Sequence, residues 1–322
     1  MSDKPFRTYE QQIELLKERN LIIQNDDLAK EILQDRSYYG LINGFKSPYT
    51  YRDKNGKEFF NNGVSLDDLV AEYQIESDLK NILLRYSLLA EIRLKEATSN
   101  VLAQDFGVDP INYLDRRHFT NRTGKRNSIL GQINSTLKKT DNMPTKYYRE
   151  HHDVVPPWIL LSNLMLGPFR LLYISLKEPE SDKIVKHTLY LHDSPSEMEK
   201  AFVSNGLGIL LAFRNNLAHG SRLLKFRSTK SMMPYNSIIS VVDSSFLSKS
   251  EYDSLNIGKN DLFSLIIVIT FFLGVIDRPI FINSITNLMQ TFASDSTIQK
   301  NFNNYITESN LPPDLSFRLN SL

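Results

Sequence analysis

The chain has 322 residues, 41% of them hydrophobic and 23% charged, the make-up of a globular protein of one large or two intimate domains rather than of a disordered or fibrous chain. It contains no cysteine, which excludes disulfide scaffolds, thiolate metal sites and thiol nucleophiles. Its net charge of +1 points to no partner, so that question passes to the distribution of charge.

Met1 to Arg7 is polar and charged and no apolar stretch follows, so no export signal is expected. The most apolar run, Leu262 to Ile276, has 15 residues between Asp261 and Asp277, short of the roughly 20 that a spanning helix needs. It reads as a buried core helix, and the chain as a soluble cytoplasmic protein without a membrane partner.

Helix signals dominate. Thr8 and Gln11 stand at capping-box spacing ahead of Ile13, Leu15, Leu16 and Leu21, and short helices are predicted from Asp27 to Gln34 and from Ser37 to Asn43. Asn55-Gly56, inside an insert over 47–64, predicts a short β-hairpin. Ser65 with Asp68 opens a long helix reaching about Phe106, whose Leu79, Ile82, Leu83, Tyr86, Leu89 and Leu94 recur at three and four, with Asp109-Pro110 as its break. Further helices are expected over Ser128 to Leu137, over Trp158 to Leu176 behind Pro156-Pro157, from the Ser196/Glu199 capping box to His219-Gly220, and over 260–276 and 280–293. Ile238 to Val242 alternates like a strand. The fold class is all-α: an N-terminal helical lobe with its insert over 1–64, a helical bundle over 65–305, and a C-terminal tail over 306–322.

One segment concentrates chemistry at the end of an apolar helix: Phe213-Arg214-Asn215-Asn216-Leu217-Ala218-His219-Gly220. Residues four apart share a helix face, so Asn215 is placed to hold an imidazole nitrogen of His219 and set its tautomer. Arg214 lies about 140° round the helix from His219 at 3.6 residues per turn, within reach of the same cleft through its long side chain. These groups suit RNA transesterification without a metal or other cofactor. A histidine takes the 2′-hydroxyl proton or donates one to the leaving 5′-oxygen, and an arginine fork neutralises charge on the pentacoordinate phosphorus. By themselves the two residues also fit a plain structural role, an arginine ion pair and a histidine closing a helix C-terminus, where a cation is favoured.

Arg214-x4-His219 with a polar residue after the arginine resembles the signature of HEPN-domain ribonucleases. The string RNNLAHGSRLL (Arg214 to Leu224) is similar to the matching segment of AbiD/AbiF-type abortive-infection proteins, the Abi-2 group. So are TYEQQIELLKERNLII (Thr8 to Ile23), SYYGLINGFKSPY (Ser37 to Tyr49) and PPWILLSNLMLGPFRLLY (Pro156 to Tyr173), with its Pro-Trp helix and the turn-like Gly167 that follows. The resemblance touches the start, middle and C-terminal third of the chain in order. It implies a HEPN-like helical bundle working as a homodimer whose two motif helices line one cleft, with Arg214 and His219 catalytic and Asn215 supporting. The implied setting is phage defence or a toxin–antitoxin pair, some members being controlled by a noncoding RNA.

Charge favours an RNA partner independently. From Arg116 to His152 the basic residues Arg116, Arg117, Arg122, Lys125, Arg126, Lys138, Lys139, Lys146 and Arg149 face only Asp141 and Glu150, and Arg222, Lys225, Arg227 and Lys230 follow the motif with no acid between them. Tyr147, Tyr148 and His151 are candidates for stacking on unpaired bases. Glu91 and Arg93 on the long helix either buttress the motif or form surface ion pairs. His151-His152 lacks the spacing of a metal site. The leading expectation is an endoribonuclease of the abortive-infection type. Its rivals are a silent HEPN module that binds a regulatory RNA, and an interaction protein whose motif helix is a dimer seam.

Overall fold

The computed structural model describes residues 6–121 and 124–322, so Arg122 of the first basic cluster lies outside the described residues. The N-terminal lobe is built from α1 (Tyr9–Glu18), α2 (Asp26–Arg36), α3 (Tyr38–Phe45) and a hairpin of β1 (Thr50–Arg52) and β2 (Glu58–Phe60). Thr8 and Gln11 close a reciprocal capping box on α1, and the Asn25 side chain caps α2. The strands pair antiparallel with Tyr51 opposite Phe59, and Gly56 takes the positive φ, +78°, that the turn requires.

The spine is α4 (Leu66–Phe106), 41 residues opened by a Ser65/Asp68 capping box and closed by Gly107 at φ +81°. At about 1.5 Å per residue it runs roughly 60 Å. It packs against α3 and, further along the chain, against eight of the helices introduced below. That surrounding explains its weak amphipathicity: Leu69, Ile75, Leu79, Leu83, Tyr86, Ala90 and Leu94 are buried, and so are Glu72, Glu76, Ser87, Glu91, Lys95 and Thr98.

Around it come α5 (Pro110–Tyr113), α6 (Arg126–Lys139), α7 (Thr145–His151), α8 (Pro157–Ser162), α9 (Leu166–Ser175), α10 (Glu178–Leu189) and α11 (Glu197–Ala218). The chain continues through α12 (Tyr235–Ile239), α13 (Lys249–Leu255), α14 (Leu262–Phe272), α15 (Asp277–Ser294), α16 (Gln299–Ser309) and α17 (Leu315–Asn320). The architecture is all-α with one small hairpin. The α14 helix is buried at every position but Phe271 and packs on α4, α10, α11 and α15, which is why it is apolar nearly all round. No helix among the described residues is long and apolar enough to cross a membrane.

Three local expectations are corrected. Trp158 to Leu176 is two helices, not one: the chain breaks at Asn163–Met165, where the Leu164 carbonyl accepts a hydrogen bond from buried Lys95, and Gly167 lies inside α9 rather than in a turn. Ile238 to Val242 is not a strand. The pair sits four residues apart on one buried face of α12 and its last turn, and the Val242 N–H donates to the Ile238 carbonyl (3.1 Å). Finally, Gly107 ends α4, while Pro110 opens α5 behind the Asp109 side-chain cap.

A buried polar network ties the lobe to the bundle. Tyr49 Oη donates to Glu72 Oε1 (2.6 Å), and Asn301 Nδ2 of α16 donates to Tyr49 Oη (2.7 Å) and Asp68 Oδ1 (3.0 Å). Burial pushes the Glu72 carboxyl up to about 7, against the lowering effect of the Tyr49 hydrogen bond. A carboxyl raised in the folded state contributes stability in full below its ordinary pKa near 4.5 and loses it as pH rises through about 7. Glu72→Gln keeps an acceptor for Tyr49 and removes the titration. Urea unfolding midpoints followed from pH 5 to about 8 should therefore fall less steeply in the variant than in the wild type.

Candidate functional site

The motif occupies the C-terminal turn of α11. His219 is the C-cap, Gly220 takes φ +64°, the Gly220 N–H donates to the Leu217 carbonyl and the Ser221 N–H to the Asn216 carbonyl (both 3.1 Å). This is a Schellman stop. It leaves His219 exposed at the helix end and turns residues 221–226 back along α3 and α4. A Cβ on Gly220 would meet nothing within 4 Å, so Gly220→Ala should cost only the left-handed backbone, about 1–2 kcal/mol in urea unfolding.

Arg214 points the other way, toward α4. Its Nε lies 3.5 Å from Glu91 Oε2, and neither buried atom completes a hydrogen bond. Glu91 is fixed from behind: its Oε1 accepts from Lys95 Nζ (2.7 Å), which also donates to the Leu164 carbonyl (2.5 Å) at the break between α8 and α9. A buried carboxylate–ammonium pair thus sets the position of the guanidinium. The Arg214 side chain stays 30% exposed, and among the described residues its Nη groups donate no hydrogen bond. They remain open to an anion.

The bond expected between Asn215 and His219 is not formed. Asn215 is exposed, and the two residues meet only through the backbone, where the His219 N–H donates to the Asn215 carbonyl (3.1 Å). Among the described residues the imidazole has no hydrogen-bond partner.

The structure separates the remaining candidates. Glu91 is at the motif, but Arg93 is not. Arg93 donates to the carbonyls of His187, Thr188 and Phe272 and lies over the Tyr190 ring, closing the ends of α10 and α14. Arg222 and Lys225 line a cleft that begins at Gly220. Arg222 donates to the Asn43 carbonyl (3.2 Å), and Lys225 donates to Ser47 Oγ (2.9 Å) and pairs with Glu308. Arg227 folds onto the Phe226 carbonyl (2.8 Å), and Lys230 is exposed.

Arg116, Arg117, Lys125 and Arg126 of the first basic cluster lie elsewhere. Thr120, next to it in sequence, lines a hollow with Lys200, Ala201 and Ser204 at the start of α11. From Ala201 to His219 the helix rises about 27 Å at 1.5 Å per residue. Arg116, Arg117 and Lys125 are exposed there, Arg117 pairing with Asp115 (2.9 Å), and Arg126 donates to the Phe119 carbonyl (3.4 Å). Tyr147 stacks on His151 and Tyr148 on His152, each aromatic face partly taken by its neighbour. Among the described residues no three His, Asp or Glu side chains group as metal ligands.

Sequence reasoning missed Lys95, although Glu91 and Lys95 stand at the i,i+4 spacing that favours an ion pair. It also missed Glu76, whose Oε2 accepts the Leu224 N–H (2.8 Å) and whose Oε1 pairs with Lys80 (2.7 Å), holding the returning segment on α4. No pattern in the sequence links residues 76 and 224.

The family model described as Abi-like protein matches residues 31–225, well over half of the chain. The matched span runs from within α2 through the motif to Lys225 and so contains Glu91, Lys95, Arg214 and His219. No curated protein and no solved structure matches the chain.

Proposed function

From the premise that the chain belongs to the Abi-like protein family, we propose that it is a HEPN-type endoribonuclease of the AbiD/AbiF kind, acting in abortive infection or as the toxin of a toxin–antitoxin pair. The observation that carries this reading is Arg214, held by buried Glu91 with its outer nitrogens open, on the same helix end as exposed His219. They are an anion-binding fork and a proton-transfer group carried by one helix end, the two kinds of group that phosphoryl chemistry uses.

In this reading a histidine takes the proton of the ribose 2′-hydroxyl, and the oxygen attacks the adjacent phosphorus. The 5′-oxygen leaves with a proton from the opposite side. The products are a 2′,3′-cyclic phosphate and a 5′-hydroxyl, and Arg214 neutralises charge on the phosphorane. One copy offers one motif histidine, whereas the reaction uses a base and an acid. A homodimer with two facing motif helices supplies both. Leu88, Ile92 and Trp158 are exposed around a groove of about 280 Å³ that includes Glu91, and a second copy is the occupant we assign to it. A noncoding RNA antitoxin is the proposed regulatory partner.

The test is incubation of purified protein with end-labelled single-stranded RNA and a tRNA pool in excess EDTA, beside Arg214→Ala and His219→Ala, with end-group analysis and mass measurement in solution. Cyclic-phosphate ends that disappear in both variants support the enzyme. The rival, an RNA-binding module without turnover, draws on the imidazole having no orienting partner in the single chain. Binding without cleavage by folded, nucleic-acid-free dimer would select it.

A further inference from the structure

The cleft beside the motif has a volume of about 710 Å³, and its far wall belongs to the N-terminal lobe. That volume is within the roughly 300–1,000 Å³ of small-ligand sites. Arg36, Lys80, Arg222 and Lys225 line it, and the one acid among its lining residues is Glu76. Glu76 is already engaged by Lys80 and by the Leu224 N–H, and Lys225 by Glu308. Among the described residues Arg36 and Arg222 have no carboxylate within ion-pair distance, and each keeps a buried Nε–H without a partner. Two like charges facing one hollow repel unless an anion enters it.

The aromatic complement is equally specific. Arg36 lies 5.1 Å over the Tyr73 ring and Arg222 lies 5.5 Å over the Phe45 ring, so each guanidinium has one face already backed by a ring. Tyr39 is 81% exposed at the rim, one of the most exposed large apolar side chains in the protein. Gly40 and Gly44, one turn apart on α3, both line the cleft. Glycine inside a helix costs about 1 kcal/mol relative to alanine, and here it keeps that wall low, with the Arg222 side chain lying against Gly44.

We propose that this cleft holds an unpaired nucleotide of single-stranded RNA adjoining the phosphate presented to Arg214 and His219, with Tyr39 as the platform for the base and Arg36 and Arg222 against backbone phosphates. Exposed aromatic faces combined with cations are how single strands are held, and every base has a face to stack. A duplex offers no free base. The inference rests on the ribonuclease reading for its neighbour but makes a separate claim, that the N-terminal lobe is part of the RNA-binding surface.

The test measures binding of a fluorescent single-stranded 2′-O-methyl RNA 12-mer, which lacks the attacking hydroxyl, and of its duplex, across a salt series with the full chain. Tyr39→Ala, which removes an exposed ring and little packing, is expected to weaken single-strand binding about tenfold without changing the salt dependence. Arg36→Gln is expected to lower the slope of log affinity against log salt by about 0.7. Lys249→Ala, a charge removed far along the chain, serves as the control. Wild-type-like binding in both cleft variants, no binding by the wild type, or an equal Tyr39→Ala loss for the duplex would each overturn the proposal. A Tyr39-dependent single-strand site in a protein that cleaves nothing would keep the cleft and remove the ribonuclease. Cleavage with binding indifferent to Tyr39 and Arg36 would do the reverse.

Discussion

His219→Ala and Arg214→Ala are each expected to lower RNA cleavage by at least about a hundredfold, with the folded state retained. The loss of a proton-transfer group costs roughly 10²–10⁴ in rate, and the loss of one charge-stabilising donor roughly 10²–10³. The two residues differ in what else they touch. His219 is exposed at the Schellman stop, so its truncation removes no buried contact and the unfolding midpoint should stay where it is. Arg214 faces buried Glu91, so its truncation leaves a carboxylate short of one cation but still bound to Lys95. A moderate loss of stability is expected there, alongside the loss of rate. If both groups serve one transition state, the double variant should be little slower than the slower single variant. Additive losses, or cleavage that survives either change, would contradict the assignment. Single-turnover rates with saturating protein, read beside urea unfolding, separate these outcomes.

Glu91→Ala is the second large effect, and it should strike stability and cleavage together. Glu91 and Lys95 are 6% and 8% exposed, so removing the carboxylate strands a buried ammonium whose other partner among the described residues is the Leu164 carbonyl. Breaking one side of such a pair costs about 3–5 kcal/mol. Arg214 also loses the group that positions it. A compensated variant distinguishes the two consequences. Glu91→Leu with Lys95→Met removes both charges together, and apolar replacement of a buried pair is often neutral for stability. Its unfolding midpoint should therefore recover relative to Glu91→Ala, while cleavage should not, because Arg214 still lacks its anchor. Recovery of cleavage along with stability would show that Glu91 serves the fold alone.

Much of the fold was legible before any coordinate. Capping boxes at Thr8, Ser65 and Ser196 are local arrangements of three or four residues whose hydrogen bonds close within one turn, so the sequence marks each helix start directly. The same holds for the Asn55-Gly56 hairpin and for Gly220 ending α11, where a positive φ selects the residue type. Helices α10 and α16 were missed although both carry buried residues at helical spacing, Ile184, Val185 and Thr188 on the first and Phe302, Tyr305 and Ile306 on the second; α17 offers less. The α17 helix has only Leu315 and Leu319 to bury, and it is held by Arg318 pairing with Glu251 across the fold.

The motif was legible for a related reason: Arg214 to His219 is contiguous, and so is the apolar helix that carries it. By itself the sequence determined where the capped helices α1, α4 and α11 begin and where α11 ends, that the chain is all-α, and which short segment gathers polar chemistry. Only the tertiary structure decided which distant groups meet that segment. Burial brought Glu91 and Lys95 behind Arg214 and sent Arg93 to cap α10 and α14. It placed Thr120, beside Arg116 and Arg117 in the chain, at the far end of α11 and set the N-terminal lobe's Arg36 and Tyr39 across a cleft from Arg222. The physical reason is range. Caps and turns satisfy backbone groups within a few residues, whereas a buried charge takes whichever partner the packed core presents, at any distance along the chain.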